Sequence, residues 1–186
     1  MPVDLDDQAF LETLARFDEL SRPKRLARHK WLAPYCRKPG IYQASVETIE
    51  LMEQARVSYV NGQFIAALML ATAFIEHTLA DELASHGLLH KRKNGLTDLT
   101  KAAAGISVFP EDLLEATNSL GKLRNPYVHW FDPDSDHRYP DTLSSRFRPD
   151  LNSGRSSRHP QEIMEEDAQV ALKLMYEYFN LTLKHT

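Results

Sequence analysis

With 186 residues and a mass of 21.3 kDa, the chain has the size of one domain with its own core. The formal net charge is −4 and the isoelectric point is about 6.1, so the overall charge does not indicate a nucleic-acid binder, and any such contact must come from a local patch. The single cysteine, Cys36, excludes an intramolecular disulfide and a cysteine-rich metal site.

The start of the chain, residues 1–7, has no basic region followed by an apolar run, so no secretion signal is predicted. The most apolar stretch, residues 64–83, is interrupted by Glu76, His77, Asp81 and Glu82, which argues against a membrane span. We therefore expect a protein of the reducing cytoplasm that has no membrane partner.

The first predicted helix covers residues 9–20. Phe10, Leu14 and Phe17 recur there at helical spacing, and acidic residues stand ahead of them, where they favour a helix N-terminus. The pattern predicts a helix that extends the main bundle.

Residues 22–38 carry seven lysines and arginines and no acidic residue, with Trp31 and Tyr35 between the charges. Basic residues beside aromatic rings can follow an RNA backbone and stack on its bases, as single-strand binders do. The competing interpretation is a solvated linker whose Trp31 packs on the bundle and whose charges offset the acidic N-terminal helix. The residues that the RNA interpretation uses are Arg22, Lys24, Arg25, Arg28, Lys30 and Trp31.

A helical hairpin is predicted next. Ser45 is a candidate N-cap for a helix that runs to about Val60, where Asn61 and Gly62 end it, and a second helix covers residues 63–86. The short turn makes the two helices antiparallel neighbours. The predicted buried residues are Leu51, Met52, Ala55 and Tyr59 in the first helix and Phe64, Leu68, Ala71, Ile75, Leu79 and Leu83 in the second.

Gly87 is a candidate C-cap, and residues 91–95 are predicted as an exposed tip. A short helix over residues 97–104, capped at or near Thr97, follows. Pro110 then opens a helix that passes Leu120 and Leu123.

This helix leads into the stretch Leu-Arg-Asn-Pro-Tyr-Val-His-Trp at residues 123–130. Because Pro126 cannot donate a backbone hydrogen bond, the helix is predicted to stop or kink there, with Asn125 as the N-cap of a new helix. Arg124 then lies just outside the new helix and His129 about one turn inside it. Arginine matches phosphate and histidine titrates near neutral pH, so the pair suits an RNA phosphodiester. A structural clamp at a helix junction, with a packed histidine, remains the alternative.

Residues 132–160 are rich in Pro, Asp and Ser and are predicted as a long loop without a strand, which could cover the site or extend an RNA surface. The last helix is predicted over residues 161–183. Its predicted inward residues are Ile163, Val170, Ala171, Leu174, Tyr178 and Leu181.

The expected fold is all-α, a four-helix bundle at residues 45–186 with residues 1–44 as an N-terminal helix and basic segment. Glu76 lies beside the apolar stripe of the second hairpin helix, so it needs a partner if it faces a neighbouring helix. Arg124 is the predicted partner, because its fork can meet both carboxylate oxygens. Exposure beside His77 is the alternative.

The Arg-Asn-x-x-x-His run at residues 124–129, behind a leucine-rich helix, resembles the Arg-x-x-x-x-His signature of the HEPN superfamily. These all-helical domains include many metal-independent ribonucleases. The resemblance covers roughly residues 45–186 and implies a catalytic Arg124 and His129, with Asn125 orienting the pair or contacting the phosphate. Glu76 and Tyr127 are the expected supporting residues, and no metal or cofactor is expected.

Two functions follow from this resemblance. The first is a metal-independent endoribonuclease, in a bacterial toxin–antitoxin or defence setting, with an antitoxin or regulatory protein as a partner. The second is a non-catalytic helical module that binds RNA, a nucleotide or a partner protein. HEPN-type nucleases pair two domains around one cleft, so we expect a homodimer with His129 of each chain near that cleft and Trp130 at or near the interface.

Overall fold

The computed structural model describes residues 5–36, 45–88, 95–128 and 159–182, and within these ranges every regular element is a helix. The predicted all-α class is confirmed. The helices are α1 (Leu5–Leu32), α2 (Val46–Val60), α3 (Phe64–Ser85), α4 (Leu96–Ala104), α5 (Glu111–Val128) and α6 (Pro160–Thr182).

Helices α2 and α3 form the predicted hairpin. The hydroxyl of Ser45 accepts a hydrogen bond from the Thr48 amide at 3.2 Å, which confirms the predicted N-cap. Gly62 ends α2 with φ of +80°, and the amide of Gln63 reaches back to the carbonyl of Ser58 at 2.8 Å. This hydrogen bond spans six residues around Gly62, which has a left-handed conformation. It satisfies a carbonyl at the end of α2 and directs the chain towards α3.

Helix α3 is the centre of the core and packs on α2, α4, α5 and α6. All six residues of its predicted stripe are buried, from Phe64 at 5% exposure to Leu83 at 1%. By length and composition α3 is apolar enough to cross a membrane, but its ten buried residues are covered by the other helices. The buried core helix of a soluble bundle has the same length and apolar composition. It ends at Gly87, which has φ of +69°.

Helix α1 differs from its prediction, because it runs without interruption from Leu5 to Leu32 and includes Pro23. The predicted end at residue 20 and the linker interpretation of residues 22–32 are therefore wrong. Leu32 is 3% exposed and belongs to the core, so packing of the second half of α1 favours the helix beyond Pro23. The first half behaves differently: Phe10 and Phe17 are each 70% exposed and do not pack on the bundle.

Helix α5 also differs from its prediction. It continues through Pro126 to Val128, so Arg124 and Asn125 lie inside one helix, and Asn125 is not the cap of a new one. Because Pro126 has no backbone N–H, the Lys122 carbonyl lacks the partner that it would otherwise have in the helix.

Helices α4 and α6 keep their predicted places with small corrections. The N-cap position of α4 is Gly95, not Thr97. In α6, Ile163, Ala171, Leu174 and Tyr178 are buried as predicted, but Val170 and Leu181 are 44% and 53% exposed. The tip at residues 91–94 and the predicted loop up to residue 158 lie outside the described residues.

Candidate functional site

The predicted contact between Arg124 and Glu76 is present. Nη1 of Arg124 on α5 donates to Oε1 of Glu76 on α3 at 2.9 Å. The two side chains are 20% and 28% exposed, so the pair is only partly screened by water. Glu76 thus faces α5, as one of the two interpretations of its position predicted.

The rest of the Arg124 guanidinium is less completely satisfied. Its Nε atom is buried and has no hydrogen-bond partner in the part of the chain that the structure describes. A buried donor without an acceptor costs about 1–3 kcal/mol, and such groups call for an explanation, such as a functional role or an acceptor supplied from outside. Arg124 is therefore anchored on one side by Glu76 and retains unused hydrogen-bonding capacity.

The other predicted catalytic residues can be placed only in part. Asn125 and Pro126 are half-buried within the last turns of α5. His129 and Trp130 lie outside the described residues, one and two positions after the last residue of α5. His129 follows Arg124 by five residues in sequence. The geometry of the site is therefore that of Arg124 and the described residues around it.

Tyr127 joins the same end of α5 to α6. Its hydroxyl donates to Oδ2 of Asp167 at 2.7 Å, and Asp167 is 3% exposed. Asp167 is a functional residue that the sequence analysis did not single out. A signal was available, because Asp167 stands four residues after Ile163 and four before Ala171, in the buried stripe of α6. An aspartate at such a position needs a polar partner.

A second polar cluster surrounds Arg28 on α1. Its Nε donates to Oε1 of Glu165 on α6 at 3.0 Å, and its Nη1 donates to the carbonyl of Val60 at 3.3 Å. The guanidinium carbon lies 4.8 Å from the centre of the Phe64 ring, and the Arg28 side chain is 13% exposed. Gly62 permits this approach, because a Cβ there would lie 3.0 Å from Nη1.

Beside Arg28, a groove of about 620 Å³ is lined by Trp31, Tyr59 and Phe64 together with polar residues of α1 and α6. The amide of Gln169 donates to the Tyr59 hydroxyl at 2.7 Å. Burial raises the pKa of Tyr59 to about 12, although the hydrogen bond from Gln169 lowers it. The hydrogen bonds of Arg28 and of Tyr59 connect α1, α2 and α6.

The residues assigned to RNA in the sequence analysis have other partners in the structure. Arg22 and Arg25 pair with Asp18 on the same helix. The Trp31 ring lies 5.1 Å from both Tyr35 and Tyr59, as the packed interpretation of this residue predicted. Lys24 and Lys30 are exposed. Among the described residues, none of these contacts includes Arg124, whose ion pair is with Glu76.

Cys36 is exposed, and its Sγ atom lies 3.2 Å from the hydroxyl of Tyr176. Burial and then the contact with Cys36 raise the pKa of Tyr176 well above its ordinary value. Within the described ranges, no group of three or more His, Cys, Asp or Glu residues could hold a metal ion. No protein-family model, no curated protein and no solved structure matches this chain.

Proposed function

We propose that the chain is a metal-independent endoribonuclease of the HEPN type that acts in the cytoplasm, in a toxin–antitoxin or defence setting. The observation that carries the proposal is the Arg124–Glu76 pair near the end of α5, five residues before His129. A guanidinium held by a carboxylate keeps one orientation, and this is what a phosphate-binding group needs before substrate arrives.

The reaction follows from the two side chains. His129 accepts the proton of a ribose 2′-hydroxyl, and the 2′-oxygen attacks phosphorus as the bond from phosphorus to the 5′-oxygen breaks. The products are a 2′,3′-cyclic phosphate and a 5′-hydroxyl, and the 5′-oxygen receives a proton from a general acid. Arg124 stabilises the negative charge that grows on the non-bridging phosphate oxygens.

Glu76 is a positioning residue in this scheme. Its bond to Nη1 takes one of the five N–H donors of Arg124 and leaves others for phosphate oxygens. Asn125, next to Arg124 on α5, is proposed to orient the pair, and Tyr127 is proposed to fix the end of α5 through its bond to Asp167.

One histidine cannot be both the base and the acid of a single in-line step, so we propose that a second copy of the chain supplies the other group. The assembly is then a homodimer in which His129 of each copy faces one cleft. An antitoxin or regulatory protein that covers this cleft would silence the enzyme.

The test is incubation of the purified protein with total RNA in the presence of a chelator, followed by analysis of the new ends. The wild-type chain should produce 2′,3′-cyclic phosphate ends, and His129→Ala should lower the rate by about 100- to 10,000-fold. His86→Ala is the matched control, because His86 is an exposed histidine at the end of α3. Equal cleavage by wild type and a clean His129→Ala preparation would contradict the proposal. RNA that is retained but not cut by the wild-type chain would favour the non-catalytic module.

A further inference from the structure

The first half of α1 is an acidic helix with a large uncovered apolar face. We call residues 7–20 the arm, and every one of them is exposed. Phe10, Leu14 and Phe17 share one face of the arm at helical spacing, and they are 70%, 64% and 70% exposed. Leu11 and Leu20 flank that face at 52% and 68% exposure. Contiguous exposed apolar side chains of this size mark a surface that binds something.

The charge of the arm limits what can cover it. It contains four carboxylates, Asp7, Glu12, Asp18 and Glu19, and one basic residue, Arg16, so four negative charges and one positive charge leave −3. An anionic lipid surface and a nucleic acid both repel such a helix. Two arms packed on each other would also place like charges together. The charge fits a surface that is apolar in its centre and basic at its edges.

The chain itself carries such a surface, directly beside the arm. A groove of about 480 Å³ between α1 and the end of α2 is lined by Arg22, Arg25, His29 and Arg56, with Leu26 and Val57 between the charges. We call it the basic groove. Leu26 and Val57 are 55% and 50% exposed, so the groove offers apolar contact as well as positive charge.

In the described part of the chain, the ion pairs of the basic-groove arginines are with carboxylates on their own helix. Arg22 and Arg25 contact Asp18, and Arg56 contacts Glu53 at 3.4 Å. These are pairs of neighbours in sequence at exposed positions, which contribute about 0–1 kcal/mol each and exchange easily for other partners. Three arginines against Asp18 and Glu53 leave a positive excess, before His29 is counted, and the arm without Asp18 still has three carboxylates against Arg16, which leaves −2.

Apart from Asp18 in its last turn, which already pairs with Arg22 and Arg25, the arm cannot reach the basic groove of its own chain. Both lie on α1, which is one continuous helix of 28 residues, and the arm would have to break that helix to fold back. Over its 14 residues the arm extends for about 20 Å, away from the part of α1 that Leu32 anchors in the core. The complementarity between arm and groove can therefore be satisfied only between two molecules.

We infer that the arm of one copy docks into the basic groove of a second copy, and that the second arm docks into the first groove. A two-fold axis makes the two contacts equivalent, so both apolar faces and both grooves are covered at once. This inference does not rest on the ribonuclease proposal: a dimer that Phe10→Ser and Phe17→Ser dissociate would support it whether or not the chain cleaves RNA, and a dimer formed through another face would leave the ribonuclease proposal standing.

The first test removes the apolar face. Wild-type protein should have the mass of a dimer by light scattering at micromolar concentration. Phe10→Ser combined with Phe17→Ser should weaken the dimer by about 100-fold or more, because two phenyl rings lose their burial. The control is Val46→Ser with Leu181→Ser, two residues that are 74% and 53% exposed outside the arm and groove. All of these side chains are exposed, so circular dichroism should show unchanged helix content.

The second test reverses the charges. Asp7→Lys with Glu12→Lys reverses the arm, and His29→Glu with Arg56→Glu reverses the groove, and each variant alone should be monomeric. An equimolar mixture of the two should form a mixed dimer, and one chain carrying all four changes should form a homodimer again. No interaction within a single chain predicts this rescue.

Three results would overturn the inference. One is a wild-type mass of a single chain by light scattering at micromolar protein, the concentration at which a dimer is expected. Another is a dimer that survives Phe10→Ser and Phe17→Ser. The third is a four-change chain that stays monomeric while its helix content is unchanged.

Discussion

Arg124 on α5 donates a hydrogen bond to Glu76 on α3 over 2.9 Å, across 48 positions of sequence. The pair has less water around it than the surface pair of Arg56 and Glu53, whose side chains are 37% and 44% exposed at 3.4 Å. The two pairs have the same chemistry and differ in burial and in the elements they connect.

We expect the Arg124–Glu76 pair to contribute measurably to stability. In a double-mutant cycle with Arg124→Ala and Glu76→Ala, urea denaturation should give a coupling energy of about 1–3 kcal/mol, because the bond is charge-assisted and partly desolvated. The same cycle on Arg56 and Glu53 should give less than about 0.5 kcal/mol. Equal coupling energies in both cycles would contradict a special stabilising role for the Arg124–Glu76 pair.

Gly62 and Gly87 form a matched pair for testing the Arg28 contact. Both have positive φ, +80° and +69°, but a Cβ at Gly62 would meet Arg28 at 3.0 Å, whereas at Gly87 it would meet nothing within 4 Å. We expect Gly87→Ala to lower the free energy of unfolding by about 1–2 kcal/mol, through backbone strain alone. Gly62→Ala should cost about 1 kcal/mol more, since a buried guanidinium must move.

The excess cost at Gly62 should disappear when Arg28 is replaced by alanine, because the added methyl group then has room. The measurement is urea denaturation of the single and double variants. If Gly62→Ala and Gly87→Ala cost the same in the wild-type background, the close approach of Arg28 has no energetic consequence.

Tyr59 should make the fold sensitive to alkaline pH. Burial raises its pKa from an ordinary 10.0 to about 12, so between these values the unfolded chain loses the phenolic proton while the folded chain keeps it. The folded state then binds more protons, and stability falls as pH rises from about 10 to 12. Below pH 10 this contribution is fully present. The Tyr178 pKa is raised to about 12 by burial as well and acts in the same direction.

The measurement is the free energy of unfolding at several pH values in this range. Tyr59→Phe should reduce its slope by up to one proton, about 1.4 kcal/mol per pH unit. The comparison must use slopes, because Tyr59→Phe also loses the bond from Gln169 at every pH. Tyr178→Phe should reduce the slope similarly, and an unchanged slope in both variants would contradict the assigned cause.

The hairpin of α2 and α3 shows how much of this fold is local. Ser45, Gly62 and Gly87 act within a few residues of themselves, and their caps appear where the sequence predicted them. The α3 stripe is likewise buried at every predicted position, because a single helical period fixes which side chains share a face. The Arg124–Glu76 contact was predictable as a candidate only, since a partly buried carboxylate beside an apolar stripe needs a cation.

The two prolines inside helices mark where prediction failed. The sequence pattern predicted a helix end at residue 20 and a stop or kink at Pro126, yet α1 and α5 continue past Pro23 and Pro126. Losing one backbone hydrogen bond costs less than giving up the packing that a continuous helix provides, as the burial of Leu32 beyond Pro23 illustrates. Whether the packing outweighs the lost hydrogen bond depends on residues distant in sequence.

The sequence by itself therefore determined the all-α class, the caps at Ser45 and Gly87, the turn at Gly62 and the buried face of α3, because each depends on neighbours within one or two turns. Only the tertiary structure decided that Tyr127 meets Asp167, that Arg28 binds Glu165, and that the apolar face around Phe10 is left uncovered. These outcomes depend on which helices meet and where the bundle ends. A periodic pattern predicts that a face is apolar, but the supply of partner surface determines whether that face is buried.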